Sequence, residues 1–158
     1  MKKNVNLKIT STQYAENLKP SGEAFRRELE LEDSVEIMTE GTMYSKNNAR
    51  YITYEECLEA GLEDTKTLVK LSDGSIRIKR YGKADAGEGM DMTLEPGMLN
   101  ITRYQIPSMS TLDLEVYTNK LEQNLDDEGY GTISVEYKIK FDKFYSRRNI
   151  LEIEVMPS

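Results

Sequence analysis

Apolar and polar residues alternate along most of this chain with a period of two. Asn4–Thr10 places Val5, Leu7 and Ile9 on one face, and Ser34–Tyr44 places Val35, Ile37, Thr39, Gly41 and Met43 together. Thr132–Phe141 does the same with Ile133, Val135, Tyr137, Ile139 and Phe141, and Arg148–Met156 with Leu151, Ile153 and Val155. Side chains on a strand alternate between its two faces, so each run predicts a half-buried β-strand. Further strands are predicted at Tyr51–Glu56, Thr65–Leu71, Ser75–Tyr81, Met90–Leu94, Leu99–Gln105 and Ser110–Leu125. Turn chemistry separates them: Ser45–Asn48, Ser72–Ser75 with its Asp-Gly pair, Glu95–Gly97 and Asp126–Gly131.

One stretch suggests how the strands are arranged. In Tyr51–Glu56 the residues Ile52, Tyr54 and Glu56 share a face. In Thr65–Leu71 the residues Thr65, Thr67, Val69 and Leu71 do. Both faces are apolar at one end and polar toward the connection carrying Gly61. A sandwich core has little use for that gradient, whereas a barrel opening at one end does. About eight to ten strands in sequential hairpins predict an all-β chain. The fold expected is a single closed or nearly closed antiparallel up-and-down barrel, because closure removes both edges. Residues 1–158 are expected to form one domain. Only 19–33 breaks the pattern: Pro20, Ser21 and Gly22 are turn residues, and Phe25, Leu29 and Glu32 lie at helical spacing. That segment reads equally as a short helix, a mobile charged loop or the front of the next strand.

Several segments resemble a known family: Thr39–Thr42 with Tyr44, Tyr51–Glu56, Gly61–Thr67 and Thr111–Thr118, then Arg80–Gly82, Leu125–Gly129 and Tyr137. Together they are similar to the domain-of-unknown-function family DUF1934, also called YwiB-like. The resemblance covers the first strand and nearly everything from Ser34 onward. It implies a calycin-like barrel related in shape to lipocalins, and it implies no activity. Two stretches depart from the family pattern. Lys19–Asp33 looks longer than usual, and Ile106–Ser110 stands where a Thr-Pro-Tyr-Gly turn is typical.

Composition narrows the chemistry. The chain has no histidine, which removes the commonest general base near neutral pH and the commonest metal ligand. A lone cysteine, Cys57, excludes an internal disulfide, fits a cytoplasmic setting and leaves no zinc-ligand set. The net charge of −7 argues against nucleic acid as a partner. No apolar run has the ~20 residues that a spanning helix needs, and none suggests a membrane partner. No catalytic residue, cofactor or metal site is expected.

Binding residues are a different matter. Glu56 and Arg80 each end an apolar face, Ile52–Tyr54–Glu56 and Ile76–Ile78–Arg80. Turned inward, they pair with each other or hold a polar ligand, since buried charge needs a partner. With meander pairing, both return to the same end of the barrel on either side of Thr65 and Thr67. The candidate ligand site is therefore Tyr54, Glu56, Thr65, Thr67, Arg80, Tyr104 and Tyr137. The tyrosines supply ring surface and a hydroxyl. The function expected is non-enzymatic binding of a small apolar or amphipathic ligand inside the barrel. The alternatives are an interaction or regulatory module with a solid core, and a carboxylate-dependent hydrolase.

Overall fold

The structure, a computed structural model, describes residues 2–55, 66–81, 89–105, 111–140 and 146–158. Ten strands follow in chain order: β1 (Lys3–Ser21), β2 (Ala24–Lys46), β3 (Ala49–Glu55), β4 (Lys66–Ser72), β5 (Ser75–Tyr81), β6 (Gly89–Leu94), β7 (Leu99–Gln105), β8 (Thr111–Leu125), β9 (Gly131–Lys140) and β10 (Ser146–Pro157). Each pairs antiparallel with its sequence neighbour, and β1 also pairs with β10, so the sheet closes into an up-and-down barrel. No helix among the described residues is long and apolar enough to cross a membrane.

The lower end carries tight reversals. Asn47 and Asn48 take φ values of 51° and 63°, the left-handed pair of a two-residue hairpin turn. Gly74 at φ 78° follows Asp73 in the next one. Asp126 accepts the N–H groups of Glu128 and Tyr130 at 2.9 and 3.0 Å and so shapes the β8–β9 turn. Those backbone bonds to Tyr130 and then Glu128 hold the Asp126 carboxyl below its usual range.

Segment 19–33 is strand, not helix. β1 and β2 form a long hairpin whose turn uses Gly22 at φ 65°, and pairing runs from Ser21↔Ala24 to Lys3↔Met43. Leu29 and Leu31 alternate with Glu28, Glu30 and Glu32 at period two, and β1 alongside supplies a ladder partner at every step but Glu32. This outweighs the sparse helical spacing. A register shift near Gln13/Tyr14 leaves Glu32 as the extra residue of a bulge.

The pairing is uneven around the ring. Among the described residues, β2 pairs β3 from Gly41↔Tyr54 to Lys46↔Ala49. At Gly41 a Cβ would stand 2.7 Å from Leu7 Cδ1 and 2.8 Å from the Thr53 carbonyl, so glycine admits this close approach just where the two strands separate. The β6–β7 seam has the single register pair Met90↔Tyr104. Below it, Asn100 Nδ2 donates to the Thr93 carbonyl at 3.1 Å.

The core fills the barrel interior. Val5, Leu7, Ile52, Val69, Ile76, Ile78, Leu94, Val116, Ile133, Val135, Ile153 and Val155 are all buried, with Ile139 and Leu151 packed against them half-exposed. Leu114 is buried as well. The Leu112 side chain lies outside the described ones.

Candidate functional site

In a closed barrel the strands tilt, so residues on different register rows reach the same height on opposite walls. One polar row is Tyr54↔Thr67↔Arg80 across β3, β4 and β5. Thr67 is 1% exposed and Tyr54 8%, and both point inward beside Ile52 and Val69. A second row is Thr118↔Tyr137↔Asn149↔Gln13 across β8, β9, β10 and β1. Thr118 is 0% exposed and Asn149 7%. The rows meet through Arg80 and Tyr137: burial pushes the phenol pKa up, the Arg80 charge pulls it back, and the net direction is upward. The phenol therefore stays a hydrogen-bond donor throughout the physiological range. Thr102, 2% exposed on β7, extends the belt.

Among the described residues, the Thr102 and Thr118 hydroxyls and the Asn149 Nδ2 are buried with no hydrogen-bond partner. Buried polar groups are nearly always satisfied, because leaving one unpaired costs roughly 1–3 kcal/mol. Three such groups on one interior belt distinguish it from the apolar core below.

Above the belt, Glu32 accepts Gln13 Nε2 at 2.9 Å and meets Arg147 Nε at 3.1 Å. On the outer face of the same end, Glu16 is held by Lys138 Nζ at 2.7 Å and by the Ser146 hydroxyl at 3.2 Å. Arg148 Nη2 stands 2.9 Å from Glu16 Oε1, a charge contact without hydrogen-bond alignment. Burial pushes the Glu16 pKa up, but the bond from Lys138, the charges of Lys138 and Arg148 and the bond from Ser146 outweigh it, and the net direction is down.

Of the residues proposed from sequence, the structure brings Tyr54, Thr67, Arg80 and Tyr137 onto the belt. The backbone of Tyr104 joins the same row through Met90, and its side chain lies outside those described. Glu56 and Thr65 lie outside the described residues. Sequence reasoning missed Thr102, Thr118 and Asn149. The available signal was alternation inverted in β7, where Asn100 and Thr102 point inward while Leu99 and Ile101 are 56% and 69% exposed.

The lower mouth is a bowl of about 590 Å³ lined by Arg50, Leu71, Leu121, Gln123 and Leu125. Arg50 donates to the carbonyls of Asp126 and Asp127 at 3.3 and 2.9 Å, and Gln123 to that of Ser72 at 3.0 Å. These bonds tie opposite walls together. A polar groove of about 600 Å³ lies where β2 leaves β3, with Thr39, Gly41, Tyr54, Glu55 and Lys66 on its walls.

A family model described as a domain of unknown function, DUF1934, matches residues 23–153. The crystal structure of the ywiB protein from Bacillus subtilis superimposes with a TM-score of 0.64. The two share 24% identity, over 96% of this chain and 92% of that one, a likeness of fold. A comparison with curated proteins gives no match.

Proposed function

The chain belongs to the DUF1934 family, and from that premise we propose that it is a non-enzymatic binding protein holding a small apolar or amphipathic ligand in the upper half of its barrel. The observation that carries this reading is accessibility on inward-facing rows. Val35, Ile37, Thr39, Ile139 and Leu151 all share register rows with core residues, for example Ile37 with Ile9 and Leu151 with Val135. They nevertheless remain half-exposed, while the inward residues of β3, β4 and β6 are buried. The upper interior along β9, β10, β1 and β2 is thus reachable from outside, as a ligand chamber requires. Ten strands also enclose more space than the eight at which side chains just fill a barrel. This is the use that calycin-type barrels make of the same shape, an analogy of fold only. The lone Cys57 supports a cytoplasmic setting.

Native mass spectrometry of protein purified from its own cells tests the reading. A retained small molecule is expected, and the emptied protein should enhance the fluorescence of the neutral dye N-phenyl-1-naphthylamine. A bare chain mass with no dye response would leave the barrel as a solid scaffold. A second reading, an interaction module, then gains weight from one feature. Leu99, Ile101 and Tyr117 are exposed together on the outer face of β7 and β8, with Leu99 directly opposite Tyr117.

A further inference from the structure

The bowl at the lower mouth is a second concavity, at the opposite end of the barrel from the chamber. Its volume of about 590 Å³ lies within the roughly 300–1,000 Å³ of small-molecule sites. Leu71, Leu121 and Leu125 give it an apolar wall. Two charges of opposite sign share that space: Arg50 on β3, directly opposite Leu71 in register, and Asp73 in the β4–β5 turn. Two guanidinium N–H groups of Arg50 are committed to the Asp126 and Asp127 carbonyls, which fixes the head group and leaves its other donors for a further acceptor. Both partners are backbone oxygens, so among the described residues the Arg50 charge meets no carboxylate. Asp73 meets no cation among them, and the two do not pair with each other. Gln123 joins the walls by donating to the Ser72 carbonyl at 3.0 Å, so the bowl keeps its shape without an occupant.

We propose that this bowl is a second binding site, which takes the zwitterion of a free apolar α-amino acid. Arg50 receives the carboxylate, Asp73 the ammonium group, and the three leucines the side chain. Both polar contacts are charge-assisted hydrogen bonds, stronger than those between neutral groups. A molecule of the same shape with one charge gains one contact and meets one repulsion: an anion faces Asp73, and a cation faces Arg50. A neutral apolar molecule would cover the leucines but take water from two charges and return nothing to them. The site shares no residue with the upper chamber, so each stands or falls without the other.

The test compares L-leucine with 4-methylpentanoate, which lacks its ammonium group, and with 3-methylbutylamine, which lacks its carboxylate. Each is titrated at pH 7 to millimolar concentration into the full-length protein labelled with nitrogen-15, and the backbone amide shifts are followed. L-leucine should move the amides of Arg50, Ser72, Gly74 and Gln123. It should bind about tenfold more tightly than either analogue, the scale of one charge-assisted bond. Asp73→Asn keeps a turn-forming pair with Gly74 and removes only the charge. It should weaken L-leucine about tenfold and leave 4-methylpentanoate no weaker. Arg50→Gln should weaken L-leucine and 4-methylpentanoate alike and spare 3-methylbutylamine. Equal binding of L-leucine and 4-methylpentanoate would overturn the zwitterion and leave a plain carboxylate site. Tighter binding of the dipeptide leucylleucine would overturn the free amino acid in favour of a short peptide. L-leucine affinity unchanged in Asp73→Asn would overturn the role of Asp73 even if Arg50→Gln failed to fold. Shifts absent from the bowl for all these ligands would overturn the site and leave the upper chamber untouched.

Discussion

At the lower end the chain reverses within two residues at Asn47–Asn48 and at Asp73–Gly74, and the space above those turns is filled by Leu7, Ile52, Ile76, Leu94 and Ile133, each at most 1% exposed. At the upper end β2 has parted from β3, inward residues such as Leu151 and Ile139 are half-exposed, and the strands are joined across their outer and upper faces by Glu16 with Lys138 and Arg148 and by Glu32 with Arg147. One half is held mainly by burial and backbone bonds, together with those that the Asp126 carboxylate accepts in the β8–β9 turn. The other leans on ion pairs around an unsatisfied polar belt. A barrel built this way keeps its shape from below and leaves its upper interior free to take up something else.

The contrast is sharpest for core truncation. Leu7→Ala should cost about 2–5 kcal/mol, the range for a fully buried leucine. Leu151→Ala, in the half-exposed upper wall, should cost about 1 kcal/mol, because less surface is returned to water. Urea unfolding of both variants checks this, and equal losses would erase the distinction between the halves.

Glu16→Gln comes next, at about 2 kcal/mol at pH 7, the scale of charge-assisted bonds lost. The folded carboxyl has a pKa below its usual 4.5. Its contribution is therefore complete above that value and disappears as pH falls through the lowered one. The stability gap between variant and parent should narrow as the pH falls below 4.5, as read from urea midpoints at pH 7 and in acid. A gap that persists in acid would mean that Glu16 acts through packing instead.

Arg50→Met, which removes the ties to the Asp126 and Asp127 carbonyls, should cost about 1 kcal/mol with no pH dependence over the same interval. The smallest effect expected is that of Thr118→Val. It replaces an unpartnered buried hydroxyl by a methyl group of similar shape and should change stability by less than about 1 kcal/mol, in the stabilising direction. Marked destabilisation would show that the hydroxyl already has a partner and that the belt is structural.

Much of the fold was legible because alternation and turn chemistry act locally. Ile133–Ile139 and the Asp73–Gly74 turn carry their own instructions, and ten strands with sequential pairing follow from them. The 19–33 segment was harder. Its strand identity depends on β1 lying beside it, and nothing in its own spacing excludes a helix. Part of the belt was also visible, since Tyr54, Thr67 and Arg80 end or interrupt apolar faces within adjacent hairpins. Thr118 and Asn149 were not, because they become neighbours of Tyr137 only through register across β8, β9 and β10. The Glu16 cluster was hidden for the same reason: its cations lie on strands at the far end of the chain. In β7 the alternation pointed the wrong way, with Leu99 and Ile101 outside.

The seam between β1 and β10 has a kinetic consequence. Every other seam joins strands that follow one another in sequence, and such hairpins form in microseconds. The β1–β10 register, from Val5↔Pro157 to Glu16↔Ser146, is the single pairing that spans nearly the whole chain, and no partial version of it is local. Its loop-closure entropy must be met before the ladder returns any energy. The ten-strand meander is therefore expected to assemble first as an open, curled sheet and to close in one late step. Substitutions in β4 or β5 would then change the folding rate through the sheet, and substitutions at Ile9 or Ile153 through closure.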